Sequence, residues 1–279
     1  MLTSKIMRWA KIFNVLIIVI NTLGQAVPLA VPVGLPVPIS HYTREFYNAI
    51  NNVPPGGIVF LDIDYSTGIH TLTQKQILLY LANKHIKWVG FSMSPTVVSI
   101  VSSIRTEIEA AHPDYKYGED FVYMGYVPGE YDIVGSLVTS AFDSLAADYD
   151  GTPRAQLPLI KDLHNKYDFK LFIGCQDRFE VWARWWPSRP DCPSLVVIRS
   201  DSWPDFQTYY PKTFLSGLNV PTAGAEWEIL SGIKGGFVAF TDGISIVIIY
   251  TVILIIIENI LKFYRPSVEK KTESEEISK

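Results

Sequence analysis

Histidine and cysteine are both scarce in this chain, with 5 and 2 residues in 279. The histidines, His41, His70, His85, His112 and His164, recur at no ligand-like spacing, so a zinc site has no support. The cysteines allow one disulfide at most. Cys175 ends one predicted strand and Cys192 opens the next, so in a parallel sheet they lie at opposite edges, beyond the Cα separation of about 7 Å that a bridge tolerates. A basic excess is also missing: 24 Lys and Arg stand against 28 Asp and Glu, a net charge of −4. That balance argues against nucleic acid as a partner, since nonspecific binding needs a basic surface. Nor is there a Walker or dinucleotide loop. GYVPGEYDIVG sets Gly129 ahead of a predicted helix, whose free amides can receive an anion, but neither its glycine spacing nor a lysine fits those motifs. A tight strand-to-helix turn is the plainer account.

Charge is thinnest in two long apolar runs, one from Ile12 and one from Phe237 to Leu261. Each approaches the roughly 20 residues a helix needs to cross a bilayer core of about 30 Å. Lys5, Arg8 and Lys11 precede the first; Lys262, Arg265, Lys270 and Lys271 follow the second. Basic residues stay on the cytoplasmic side, so both termini are expected in the cytoplasm and the middle of the chain outside a cell membrane. Gly24 and Ala26 are also spaced like a signal-peptide cleavage site, which leaves the fate of the first run open. The expected layout is a cytoplasmic N-terminus (1–11), a first span (12–33), a proline-rich arm (34–56), an extracytoplasmic domain (57–236), a second span (237–261) and a disordered tail (262–279). Glu258, near the end of the second span, either reaches the headgroups or faces a partner helix, and the latter would imply a homo-oligomer.

Within the arm, TREFYNAI forms a short helix capped by Ser40 or Thr43. From Gly57 onward, short apolar runs (IVFLDI, KWVGFSM, DFVYMGY, FKLFIG, SLVVIRS) alternate with helical patterns such as Val97, Val101, Ile104 and Ile108. Continuous apolar strands joined by helices predict an α/β domain with an open, mainly parallel, Rossmann-like sheet. Ligands in such sheets bind at the carboxyl ends of the strands. The residues expected there as ligand contacts are Asp62, Asp64, Ser66, Ser92, Tyr126, Gly129, Asp177 and Asp201.

In GIVFLDIDYSTG, Asp62 and Asp64 share one face of a strand end, where two carboxylates can hold a magnesium ion or divide the roles of nucleophile and acid/base. DIDYS resembles the first motif of haloacid-dehalogenase-like phosphotransferases, an apolar strand followed by Asp, any residue, Asp. That resemblance implies Asp62 as nucleophile, Asp64 as acid/base, Ser66 in the position of a threonine, and Ser92 as the hydroxyl of the second motif. The family's lysine would be Lys161 or Lys170. Its last motif departs in LFIGCQD, where Cys175 follows glycine and Asp177 comes two residues later. A second resemblance covers most of the chain. PVGLPVPIS, NNVPPGGIVFLDIDY, YGEDFVYMGYVPGE, DYDGTPRAQLPLIK, GLNVPTAGAEWEIL and a closing helix with IIIENI together look like a family of prokaryotic membrane-anchored proteins with no assigned activity.

RFEVWARWWPSRPDC holds Trp182, Trp185 and Trp186 among Arg178, Arg184 and Arg189. The spacing fits a helix packed by its indoles with arginines reaching outward, and the same density makes Trp182, Arg184, Trp185, Trp186 and Arg189 a candidate interaction surface. The overall expectation is a membrane-tethered, non-enzymatic domain that binds a protein partner or cell-envelope ligand without a cofactor. Two alternatives remain: a phosphatase-like hydrolase that uses Asp62 and Asp64, the only reading that calls for magnesium, and a subunit of a membrane complex.

Overall fold

The computed structural model describes residues 19, 22–23, 35–64, 68–140, 145–175 and 179–277, and within these ranges leaves out the side chains of 68–70, 130–131, 140, 175, 258 and 260–277. The chain forms two units, Val37–Phe237 and a second made from Met1–Pro36 with Val238–Lys279.

The first unit begins with helix α1 (His41–Asn51), where the Ser40 hydroxyl caps the helix by accepting from the Thr43 amide at 3.2 Å. Phe46 and Ile50 of α1 are fully buried, so this helix belongs to the folded domain and the expected arm shrinks to its flanks. Then follow β1 (Ile58–Asp62), α2 (Gly68–Asn83), β2 (Lys87–Ser92), α3 (Val98–Ala111), β3 (Phe121–Tyr126), α4 (Glu130–Ser140), β4 (Leu171–Cys175), α5 (Phe179–Trp185), β5 (Ser194–Arg199), α6 (Trp203–Phe206), β6 (Ser216–Val220) and α7 (Thr222–Ser231).

The six strands among the described residues are all parallel, in the order β3-β2-β1-β4-β5-β6, so the domain is the expected α/β fold with an open sheet flanked by helices. The direction of strand succession reverses between β1 and β4, which makes their carboxyl ends the topological switch point. Strand β6 is the one that the apolar pattern did not reveal. Its sequence SGLNV carries a glycine and an asparagine, and the glycine has a packing reason: a Cβ at Gly217 would lie 2.9 Å from the Phe206 ring.

Trp182 and Trp186, 0% and 1% exposed, sit in the core against Phe60 and Phe172, with the Trp182 ring 4.6 Å from Phe172 and the Trp186 ring 4.9 Å from Phe60. Burying an aromatic side chain removes 150–250 Å² from water, or roughly 4–6 kcal/mol each as an upper bound. Cys192 is a buried free thiol, while the side chain of Cys175 lies outside the described residues.

In the second unit, helix α8 runs from Phe237 to Ile277. Its first 21 residues, Phe237–Ile257, are long and apolar enough to cross a membrane. At 1.5 Å per residue they span about 32 Å. Ile248, Ile249, Ile253 and Ile256 are each more than half or nearly half exposed, a surface that only lipid or a partner covers cheaply. The helix continues through the segment expected to be a disordered tail, since its Glu and Lys residues favour helix well enough to extend one already begun. The expected first span, 12–33, lies outside the described residues apart from helical positions at Val19, Thr22 and Leu23. Asp242 was not anticipated. It is fully buried within the apolar run and accepts the Leu35 amide at 3.0 Å.

Candidate functional site

The sheet order sets Asp62 at the end of the central strand β1, with Phe91 of β2 beside it in register and β4 on the other side. Asp62 and Asp64 are 2% and 8% exposed. The Trp182 indole N–H donates to Asp62 Oδ2 at 2.5 Å, inside the domain. The segment read as interaction surface thus contributes its first tryptophan to the carboxylate site. A buried hydrogen bond contributes about 0.5–1.5 kcal/mol, more where the acceptor is ionised, and restricts Asp62 to one orientation.

Ser92, fully buried at the end of β2, donates from Oγ to the Ser94 carbonyl at 2.8 Å and accepts the Ser94 amide at 3.0 Å. Its hydroxyl is therefore committed to shaping its own loop. Tyr123 of β3, 2% exposed, joins the cluster. Burial chiefly pushes its phenol well above the ordinary value of 10, the neighbouring Ser92 hydroxyl opposes the shift, and the charges of Asp64 and Asp62 add to it. No local pattern singles out Tyr123, which reads as one more apolar residue of FVYMGY.

Beside this cluster, the end of β3 opens into a groove of about 590 Å³ lined by Met124, Gly125, Tyr126, Pro128 and Tyr149. Tyr126 is 44% exposed, and Tyr149 packs 6.0 Å from the Tyr123 ring. Gly125 has φ +81°, which glycine adopts without strain, and its missing side chain leaves room for Tyr149, 3.4 Å from where a Cβ would be. Gly129, at φ +120°, makes the tight turn into α4.

Other expected contacts lie elsewhere. Asp201, at the end of β5, is exposed and paired with Arg199, whose guanidinium holds its carboxyl below the usual range. Two strand spacings, about 10 Å, separate β5 from β1, so Asp201 does not converge on the aspartate pair. Ser66 and Asp177 lie outside the described residues, as does the side chain of Glu258. Lys170 precedes β4, and its amide donates to Ile58 at the start of β1. Four residue steps, about 13 Å, separate that level from Asp62. Lys161 lies two residues after Leu159, whose amide donates to the Gly118 carbonyl ahead of β3, again on the amino side of the sheet. Neither lysine adjoins the carboxyl edge. Among the described residues, no group of three His, Cys, Asp or Glu is arranged to hold a metal ion.

The expected Trp/Arg surface divides. Trp182 and Trp186 face the core, whereas Arg184 is exposed and lies 5.6 Å from the ring of half-buried Trp185. Those two residues, with Asp132 and Glu180, line a cleft of about 440 Å³. Gly135 allows Trp185 to lie against α4, because a Cβ there would stand 3.1 Å from the ring. Arg189 is turned away, over Tyr167 at 4.8 Å and to Asp191 at 3.2 Å.

The late AEWE sequence acquires a structural account. Trp227 is fully buried; Glu226 Oε2 accepts both the amide and the hydroxyl of Ser40, at 2.8 and 2.7 Å; and Glu228 accepts the Phe237 amide at 2.7 Å, just where the chain leaves the domain. Comparison of the chain with protein-family models, with curated proteins and with solved structures gives no match.

Proposed function

We propose that this protein is a membrane-tethered binding module, anchored through the apolar part of α8 and a first span near the N-terminus, with its α/β domain on the extracytoplasmic side. It takes a protein partner or cell-envelope ligand at the carboxyl ends of β1, β2 and β3, and it does so without catalysis. The observation that carries this reading is the buried Asp62, held by a buried indole N–H beside an open groove. A carboxylate 2% exposed and fixed by Trp182 is suited to shaping a recognition surface. A nucleophile needs an oxygen that substrate can reach. The groove supplies that surface with Tyr126 and Tyr149, whose rings offer contact area at low entropic cost.

The hydrolase reading keeps one observation in its favour: β1, which ends at Asp62 two residues before Asp64, lies directly between β2 with Ser92 and β4, after which Asp177 follows in the sequence. Magnesium would sit on Asp62 and Asp64 with a third carboxylate, and the described residues do not complete that set.

One experiment separates the two. A photo-reactive residue is placed at Tyr126 in the full chain in its native membrane, with the same substitution at exposed Tyr167 as control. Binding predicts a crosslinked species from position 126 alone. Magnesium-dependent turnover of p-nitrophenyl phosphate, lost in Asp62→Asn, would replace the binding reading with the hydrolase.

A further inference from the structure

A second pocket lies apart from the aspartate pair, between α1, β6 and α7. It is a pocket of about 190 Å³ whose walls include Ser40, Tyr42, Trp203, Asn219, Thr222 and Glu226. Liquid water occupies about 30 Å³ per molecule, so the pocket holds about six water-sized groups, the size of a small organic head group.

We propose that this pocket binds a small organic ammonium group through Glu226 and the rings of Trp203 and Tyr42. Glu226 is 7% exposed, and both hydrogen bonds it receives from described residues go to Oε2, from Ser40. Oε1 is thereby left for a guest, on a carboxylate whose position is already fixed. Among the described residues, no lysine, arginine or histidine lines the pocket, so none of them supplies a counter-ion to the carboxylate within it. Trp203 and Tyr42, half-buried, stand edge to face at 5.0 Å and form an aromatic wall. A carboxylate beside aromatic faces is the combination that attracts a cation: the ring quadrupoles contribute about 0.5–2 kcal/mol each, and the carboxylate adds a direct ion pair.

One opposing effect is present. Thr222 and Ala223 bring the amino end of α7 to the pocket, and a helix amino end favours anions. It amounts to about half a positive charge spread over the turn, against the full charge of Glu226. The Gly224 amide is moreover already donated to the Pro221 carbonyl. The carboxylate wins.

The same chemistry occurs in free amines and in the headgroups of ethanolamine lipids. The test is calorimetric titration of the full chain in maltoside micelles with ethanolamine and choline, and with their uncharged counterparts ethylene glycol and 3,3-dimethylbutan-1-ol. Saturable binding is expected of the charged compound in at least one pair and of neither neutral one. Glu226→Gln, which can still accept from Ser40, should weaken it at least tenfold. Trp203→Leu, which leaves the Ser40 contact intact, should weaken it severalfold and keeps the test valid if the first variant unfolds. Equal binding of the neutral compounds, unchanged affinity in a folded Glu226→Gln, or no binding at all would overturn the proposal. Competition of the free amine by phosphatidylethanolamine, but not phosphatidylglycerol, in mixed micelles identifies a lipid source; failure to compete identifies a free amine.

Discussion

The two ends of strands β1, β2 and β3 hold their principal polar clusters in opposite ways. At the carboxyl edge, Asp62, Asp64, Ser92 and Tyr123 are all buried. At the amino edge, Lys87 pairs with Asp120 at 3.5 Å and His85 with Asp114 at 3.6 Å, in positions open to water. The amino edge has its own groove, about 480 Å³, with Glu45, Asn52, Lys170 and Asp191 on its rim and Pro54, Pro190 and Pro193 between them. Water can satisfy that rim in any arrangement. The carboxyl-edge groups have to be satisfied by the fold itself, which fixes their geometry before any ligand arrives. Burial, rather than the presence of a groove, is what distinguishes the candidate site.

The largest test of that contrast is Trp182→Ala, which removes a fully buried indole together with the Asp62 hydrogen bond. Truncations of this kind cost about 3–5 kcal/mol, to be read from denaturant unfolding of the full chain in detergent. Trp185→Ala, at a half-buried ring on the same helix, should cost clearly less. Equal losses would mean that Trp182 has no special role at the carboxyl edge.

Next in size is Asp62→Asn. The carboxyl becomes an amide, and a hydrogen bond of this kind contributes about 0.5–1.5 kcal/mol, or up to about 3 kcal/mol where the acceptor is ionised. Trp182→Phe removes the bond that Asp62→Asn only alters, so the double variant should lose clearly less than the sum of the two. Additive losses would place the contribution of Asp62 elsewhere.

The strand succession, the parallel sheet and the position of Asp62 were legible from the sequence because short but continuous apolar runs fit strands covered on both faces. The limits of that reading come from particular residues. SGLNV is too short and too polar to show as a strand, and becomes one because Gly217 admits Phe206. Trp182 and Trp186 share helical spacing with Trp185, and no periodicity distinguishes an indole that meets Phe60 and Phe172 from one that meets solvent. Tyr123, Glu226 and Asp242 acquire their roles from neighbours far along the chain, which local patterns do not contain.

Alkaline pH affects both edges together. Tyr115 beneath the amino edge, Tyr117, and Tyr123 at the carboxyl edge all have phenols pushed above the ordinary 10, in each case chiefly by burial. The folded chain keeps these protons where the unfolded chain releases them. Their contribution is therefore complete below about pH 10 and declines as pH rises above it. Unfolding free energy should be flat between pH 8 and 9.5 and fall beyond 10. Phenolate absorbance from these three residues should appear only as the domain unfolds; early titration of all three would contradict their burial.

The smallest effect belongs to the amino edge and is also the most diagnostic. Lys87→Met removes the pair with Asp120, whose two side chains are 37% and 23% exposed. Pairs with that much contact with water contribute about 0.2–1 kcal/mol. At 1 M salt the screening length falls to about 3 Å, shorter than the pair itself, so the difference between variant and wild type should vanish. The Asp62→Asn loss should persist at the same salt concentration, because mobile ions do not enter the space between Asp62 and the Trp182 indole. If salt removed both differences, the carboxyl-edge carboxylate would be as open to solvent as the amino-edge pair, and the contrast that locates the site at that end of the sheet would be lost.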